Sequence, residues 1–169
     1  LVAGATAGRL QITKTPTGEQ EVALSFAGTS FPLKQDGFGG AFGGLYDVEY
    51  GSLLTSQDAL HDMAGQLAQM INDTLATGFD LNGNPGQPLL TYNATSTTAM
   101  LTLNDVSPEE LALSSAAGES GNNEVLLELL QLKGQTITVG GSQVTLNDAY
   151  AGLLGQVAST SRQNQADLK

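Results

Sequence analysis

The sequence predicts an α+β fold that is mainly helical: an elongated helical bundle built on one long amphipathic helix, with small antiparallel β-hairpins. Three observations predict it. Residues 55–77 place Leu60, Met63, Ala64, Leu67, Ala68, Ile71 and Leu75 on one helical face, with Asp62, Gln66, Gln69 and Asp73 opposite. At 1.5 Å per residue that stretch makes a rod of about 34 Å. A second run, Val125, Leu126, Leu127, Leu129, Leu130 and Leu132, is apolar around more than half the helical wheel, with only Glu128 and Gln131 wet. Such a helix is expected to lie centrally, covered on more than one face, against the long one. Third, several short alternating stretches flank turn residues, the mark of hairpins.

In chain order, residues 1–8 are small and featureless and read as a frayed start. Leu10 and Ile12 alternate before the turn Thr15, Pro16, Thr17 and Gly18; Val22, Leu24 and Phe26 alternate after it, which predicts a hairpin. Phe31 and Leu33 fit a short third strand. Residues 35–44 are glycine-rich and act as a connector. No Lys–Ser/Thr pair follows them, so they are not a phosphate loop. Residues 41–50 predict a short helix, with a kink expected at Gly51 before the main helix. The main helix stops at Gly78 and runs into a loop of turn residues that includes Asp80, Asn82, Gly83, Asn84, Pro85 and Gly86.

Residues 89–92 and 99–103 read as two short strands. Ser107 then suits an N-cap, Pro108 the first helical position and Glu110 the third, which closes a capping box on a helix reaching about Leu113. Residues 118–123 break the chain, and Gly134 ends the leucine-rich helix. Residues 136–146 form a hairpin around Gly140 and Gly141. Asn147 is expected to cap a last helix bearing Tyr150, Leu153, Leu154 and Val157, whose stripe turns polar at Ser161, Asn164 and Gln165. Either the helix leaves the core there or its partner segment lies outside this stretch, the second being the reading favoured. Two regions follow: residues 1–40, the hairpin region with its connector, and residues 41–169, the helical core with a short β insertion at about 84–105.

Composition excludes several function classes. Seventeen acids against six bases give a net charge of −11, which argues against nucleic acid and anionic membranes as partners. No apolar run is long enough to span a bilayer, and no secretory signal is visible. The absence of cysteine removes disulfides, thiolate chemistry and the commonest structural zinc sites.

The residues that could carry chemistry each have a structural reading. Asp80, Asn82 and Asn84 have the spacing that opens a calcium loop. Pro85 stands where that loop needs glycine, however, and Thr91 where it needs glutamate, so the sequence favours a tight turn. His61 is the single histidine, at the border of the apolar face, and reads as a surface residue. Asp62 with Asp73, and Glu109 with Glu110, fall on wet faces or at a cap, where acids need no catalytic reason. Asn72 and Asn93 head glycosylation sequons by pattern alone. No nucleophile–base set is present. The expectation is no enzyme and no catalytic, cofactor-binding or metal-binding residue.

Three stretches together resemble the flagellar hook-associated proteins of the hook–filament junction, FlgK type. They are residues 41–50 with the long helix carrying Leu67, Ala68 and Asn72; the loop at residues 78–86; and residues 121–154, where Asn147, Asp148, Ala149, Tyr150 and Ala151 fit especially well. The resemblance runs over roughly residues 41–165. Two departures stand out. The family loop commonly leads to an aromatic pair, where this chain has Leu89 and Leu90. Large members insert a β-domain before the leucine-rich helix, which here is absent or reduced to a pair of strands.

The resemblance implies a structural subunit that joins hook to filament, outside the cell, exported unfolded by the flagellar secretion apparatus. It implies hook protein, the filament-side junction protein and copies of itself as partners, with the terminal axial segments absent from this stretch and a monomer expected in isolation. The alternative is a secreted binding or adhesion module presenting its β-hairpin loops, which would need aromatic or charged residues at the hairpin tips. The tips hold Thr, Pro, Gly and Ser instead.

Overall fold

The computed structural model describes residues 2–3, 6–14, 20–33, 43–44 and 47–167. The turn expected at residues 15–18, most of the connector at residues 35–44 and part of the helix expected at residues 41–50 lie outside the described residues. The chain forms two compact units, Leu1–Leu53 and Leu54–Lys169.

In the first unit, β1 (Val2–Ala3) pairs antiparallel with β2 (Thr6–Ala7). The start that its small residues mark as featureless therefore carries a short ladder. Next come β3 (Arg9–Lys14), β4 (Gln20–Phe26) and β5 (Thr29–Pro32), an antiparallel sheet in the order β3–β4–β5. Leu10 faces Leu24 and Leu24 faces Phe31, while Ile12 faces Val22, so the alternating apolar residues gather on one face. Val22 is buried, whereas Leu10, Ile12 and Phe31 stay exposed. The β4–β5 turn is two residues long, with Ala27 at φ +50° and Gly28 at φ +81°. Both central residues at positive φ match the twist of the flanking strands. Asp47–Leu53 is wound as a π-helix around Gly51, where the sequence predicts a kink.

The second unit is organised on α1 (Leu54–Ala76), within one residue of its expected bounds. Met63, Ala68 and Leu75 from the predicted stripe are buried. The helix ends as Gly78 donates to the Leu75 carbonyl at 3.0 Å and the Thr77 hydroxyl donates to the Thr74 carbonyl at 2.7 Å. Around α1 pack the hairpin of β6 (Leu90–Tyr92) and β7 (Leu101–Leu103), α2 (Glu124–Gln131), the hairpin of β8 (Thr136–Val139) and β9 (Ser142–Thr145), and α3 (Leu146–Asp167). Val125 and Ile137 from these partners, with Ala112 from the segment before α2, complete the core. Among the described residues there are thus three α-helices and small antiparallel sheets, a mixed α+β fold. Gly140 (φ +55°) and Gly141 (φ +79°) make the β8–β9 turn at the predicted place.

Three expectations are corrected. The leucine-rich helix is not central: only Val125 is buried, while Leu127 is 49% and Leu130 60% exposed. With eight residues, α2 makes little more than two turns and lays one edge on α1. The helix after Ser107 is one 3₁₀ turn, Pro108–Glu110. Beyond it, Ser114 exchanges backbone hydrogen bonds with Phe79 at 2.8 and 3.3 Å, which holds the chain extended. Finally, Thr145 caps α3 rather than Asn147. Its hydroxyl accepts from the Asp148 amide at 3.2 Å and donates to the Asp148 carboxylate at 2.7 Å, because β9 runs straight into the helix.

Candidate functional site

Residues 78–86 form a loop closed by its own hydrogen bonds. Asp80, 7% exposed, sits at its centre. Its Oδ1 accepts from the backbone amides of Asn82 at 2.8 Å and Asn84 at 2.7 Å, and its Oδ2 accepts from the Asn84 side chain at 3.1 Å. Backbone bonds from Asp80 to the Asn84 carbonyl at 2.9 Å and from Gly86 to the Gly78 carbonyl at 3.0 Å close the ring. Burial by itself would raise the Asp80 pKa, but the hydrogen bonds from Asn84 and Asn82 favour the charged form and hold it below its ordinary value. The carboxylate is thus occupied by the loop's own amides, the arrangement of a tight turn.

Glycine is required here by close approach. A Cβ on Gly86 would lie 1.9 Å from the Leu75 carbonyl oxygen, and one on Gly78 would lie 2.7 Å from the Ala112 oxygen. The loop seats on residues 107–114 through the Phe79–Ser114 bonds and a Leu81-to-Glu109 bond of 3.1 Å. Glu110 accepts from the Ser107 amide at 2.9 Å, which lowers its pKa despite the Asp80 charge nearby. A cavity of about 160 Å³, lined by Asp80, Pro108, Ser114, Glu119 and Asn122 among others, opens between loop and segment.

From α1 four side chains reach out to fix its neighbours. Asn72 accepts from the Leu89 and Leu90 amides at 2.9 and 3.0 Å and donates to the Leu90 carbonyl at 2.7 Å. Gln66 bonds both the amide and the carbonyl of Thr138, and Asp62 accepts from Gly140 at 3.2 Å. His61 meets the Tyr92 hydroxyl at 3.0 Å and its ring edge-on.

Each residue weighed from sequence therefore has a place. His61 is not a bare surface residue but holds β6. Asp62 braces a hairpin, and Asp73 is exposed. Asn72 is locked in a backbone clamp, whereas Asn93 lies in an exposed loop, its Oδ1 accepting from Thr95. The clamping roles of Asn72 and Gln66, and the part played by Tyr92, are what sequence reasoning missed, because their partners lie far along the chain. Among the described residues no three His, Asp or Glu side chains converge as a metal site would require.

Two further concave surfaces are lined mainly by apolar side chains. A groove of about 560 Å³ runs along Leu60, Met63, Leu67, Met100 and Tyr150, and a slot of about 370 Å³ lies between Leu67, Ile71, Leu129 and Ile137. Tyr150, Leu154 and Val157 continue one exposed stripe along α3 at helical spacing.

Residues 1–90 match the family model described as flagellar hook-associated protein FlgK helical domain. The chain belongs to the FlgK family of flagellar hook-associated proteins. The FlgK match takes in the π-helix, α1 and the Asp80 loop, two of the three stretches that carry the resemblance, and also the hairpin region before them. The third stretch, residues 121–154, lies beyond it. FlgK proteins are structural components of the flagellar axial structure, outside the cell. No curated protein matches the chain. Among the described residues no helix is long and apolar enough to cross a membrane.

Proposed function

We propose that the chain is a non-catalytic building block of the hook–filament junction, exported by the flagellar secretion apparatus. It packs beside copies of itself, with hook protein on one side and the filament-side junction protein on the other. The observation that carries this reading is the FlgK match over α1 and its closing loop. The proposed shape is an elongated bundle with α1 as its spine. β6, β8, α2 and α3 are all attached to that one helix, so load applied to any of them passes through it. Tyr150, Leu154 and Val157 are the proposed subunit contacts, supported by their exposure along one stripe. The functional division is a hairpin region, residues 1–40, and a helical core, residues 41–169, with no catalytic, cofactor or metal residue in either. The Gly140–Gly141 tip presents neither aromatic nor charged side chains, so nothing favours an adhesion module.

Deleting the gene in its flagellated host is the test. Hooks without filaments, with motility restored by the gene in trans, are expected. Normal filaments on the deletion strain would overturn the junction role while leaving family membership intact. In solution the chain is expected to sediment as a monomer at micromolar concentration; a stable closed oligomer would overturn the need for further segments in assembly.

A further inference from the structure

Asn82 and Gly83 form the one Asn–Gly pair in the sequence. Such a pair is chemically fragile because glycine leaves its own amide unhindered. The Gly83 nitrogen can attack Asn82 Cγ, forming a five-membered succinimide while Nδ2 leaves as ammonia with the amide proton. Water then opens the ring at either carbonyl, giving Asp or isoaspartate, the latter with an extra backbone carbon. Asn82 is exposed, so solvent and base reach it.

The structure nevertheless engages the attacking amide and fixes the Asn82 backbone beside it. The attacking amide of Gly83 donates to the Asp80 carbonyl at 3.1 Å, at φ +81°. The Asn82 amide donates to Asp80 Oδ1 at 2.8 Å. The same carboxylate holds Asn84 on the far side, and the Asp80–Asn84 and Gly86–Gly78 bonds lock the ends. Ring closure requires Gly83 nitrogen to leave its bond and swing onto the Asn82 side chain, which this ring opposes.

We propose that Asn82 is the chain's spontaneous modification site and that Asp80 is the positioning residue that sets its rate, holding Asn82–Gly83 in a deamidation-resistant conformation. The test follows isoaspartate and deamidated product at each asparagine by peptide mapping and mass spectrometry, in mildly alkaline buffer. The whole chain is used, native and in denaturant.

In the native chain Asn82 is expected to react at least about tenfold more slowly than in denaturant, equivalent to about 1.4 kcal/mol of local opening. Asp80→Ala is expected to raise the Asn82 rate to near the denatured value and leave Asn93, in a separate exposed loop, unchanged. Asp80→Asn, which can still accept both amides, is expected to restore protection. Equal native and denatured rates at Asn82 would overturn the proposal without any variant. So would a rise at Asn82 and Asn93 alike in Asp80→Ala, which marks general loosening instead.

Discussion

Replacing Gly86 by alanine is expected to unseat the loop from α1. The new Cβ would stand 1.9 Å from the Leu75 carbonyl oxygen and 2.7 Å from Ala112 Cβ, where ordinary contact begins at 3.4 Å. The oxygen and Cβ must therefore separate by 3.4 − 1.9 = 1.5 Å. Neither side can give cheaply. Leu75 is 2% exposed and its carbonyl already takes the Gly78 amide, while Gly86 donates to Gly78. Overpacking alone costs about 1–3 kcal/mol, and a lost backbone hydrogen bond adds about 1. Together they give about 2–4 kcal/mol, a large share of an ordinary domain's stability and roughly 5–15 °C in Tm. Urea and thermal unfolding followed by circular dichroism measure it. Gly152→Ala is the matched control: it lies within α3 with nothing near its Cβ, and alanine there is expected to stabilise by about 0.5–1 kcal/mol. A Gly86→Ala change within about 0.5 kcal/mol of wild type would refute the seating of this loop on the helix.

Three further outcomes are expected. Asn72→Leu removes three hydrogen bonds and leaves the Leu89 and Leu90 backbone without their partner, a loss of about 2–3 kcal/mol in urea unfolding; Asn72→Asp, which keeps the acceptor, should lose less. Asp80 binds a proton less readily folded than unfolded, since its pKa lies below the ordinary 3.8. Its stabilisation is thus full above the ordinary carboxylate range and drains as pH falls toward the folded value, with Glu110 acting in the same sense. Urea midpoints measured down through that range should fall less steeply in Asp80→Asn. Ala27→Gly relieves a left-handed residue at φ +50°, worth about 1–2 kcal/mol against about 0.5–1 of added chain entropy; a small net gain for the first unit should show in hydrogen exchange of β4 and β5.

The elements of this chain were readable where one local rule governs them. The α1 stripe, the two-glycine turn of β8–β9 and the Ser107–Glu110 box each depend on residues a few positions apart. Legibility failed where a residue's partner lies far along the chain. On a wheel Gln66 and Asp62 look like a solvent face, and nothing near them says that a hairpin 72 and 78 residues away will bond there. Leucine count made α2 look central, but count measures how much could be buried, not how much neighbouring surface exists to bury it. Thr145 outcompeted Asn147 as a cap because the strand before it fixed where the helix begins. Of the candidate site, the Asp80 turn was visible in its residue types; the seat beneath it, formed by Ala112 and Ser114, was not.

The amide of Gln66 has one more consequence. Thr138 turns its N–H and C=O away from β9, and both are taken by a single side chain. A glutamine on a helix thereby fills the place of a neighbouring strand. A bare hairpin edge is a template onto which another chain can add by backbone pairing, the usual opening step of strand-to-strand aggregation. At Thr138 that template is already read, so this part of the β8 edge offers no free backbone pair to a second chain.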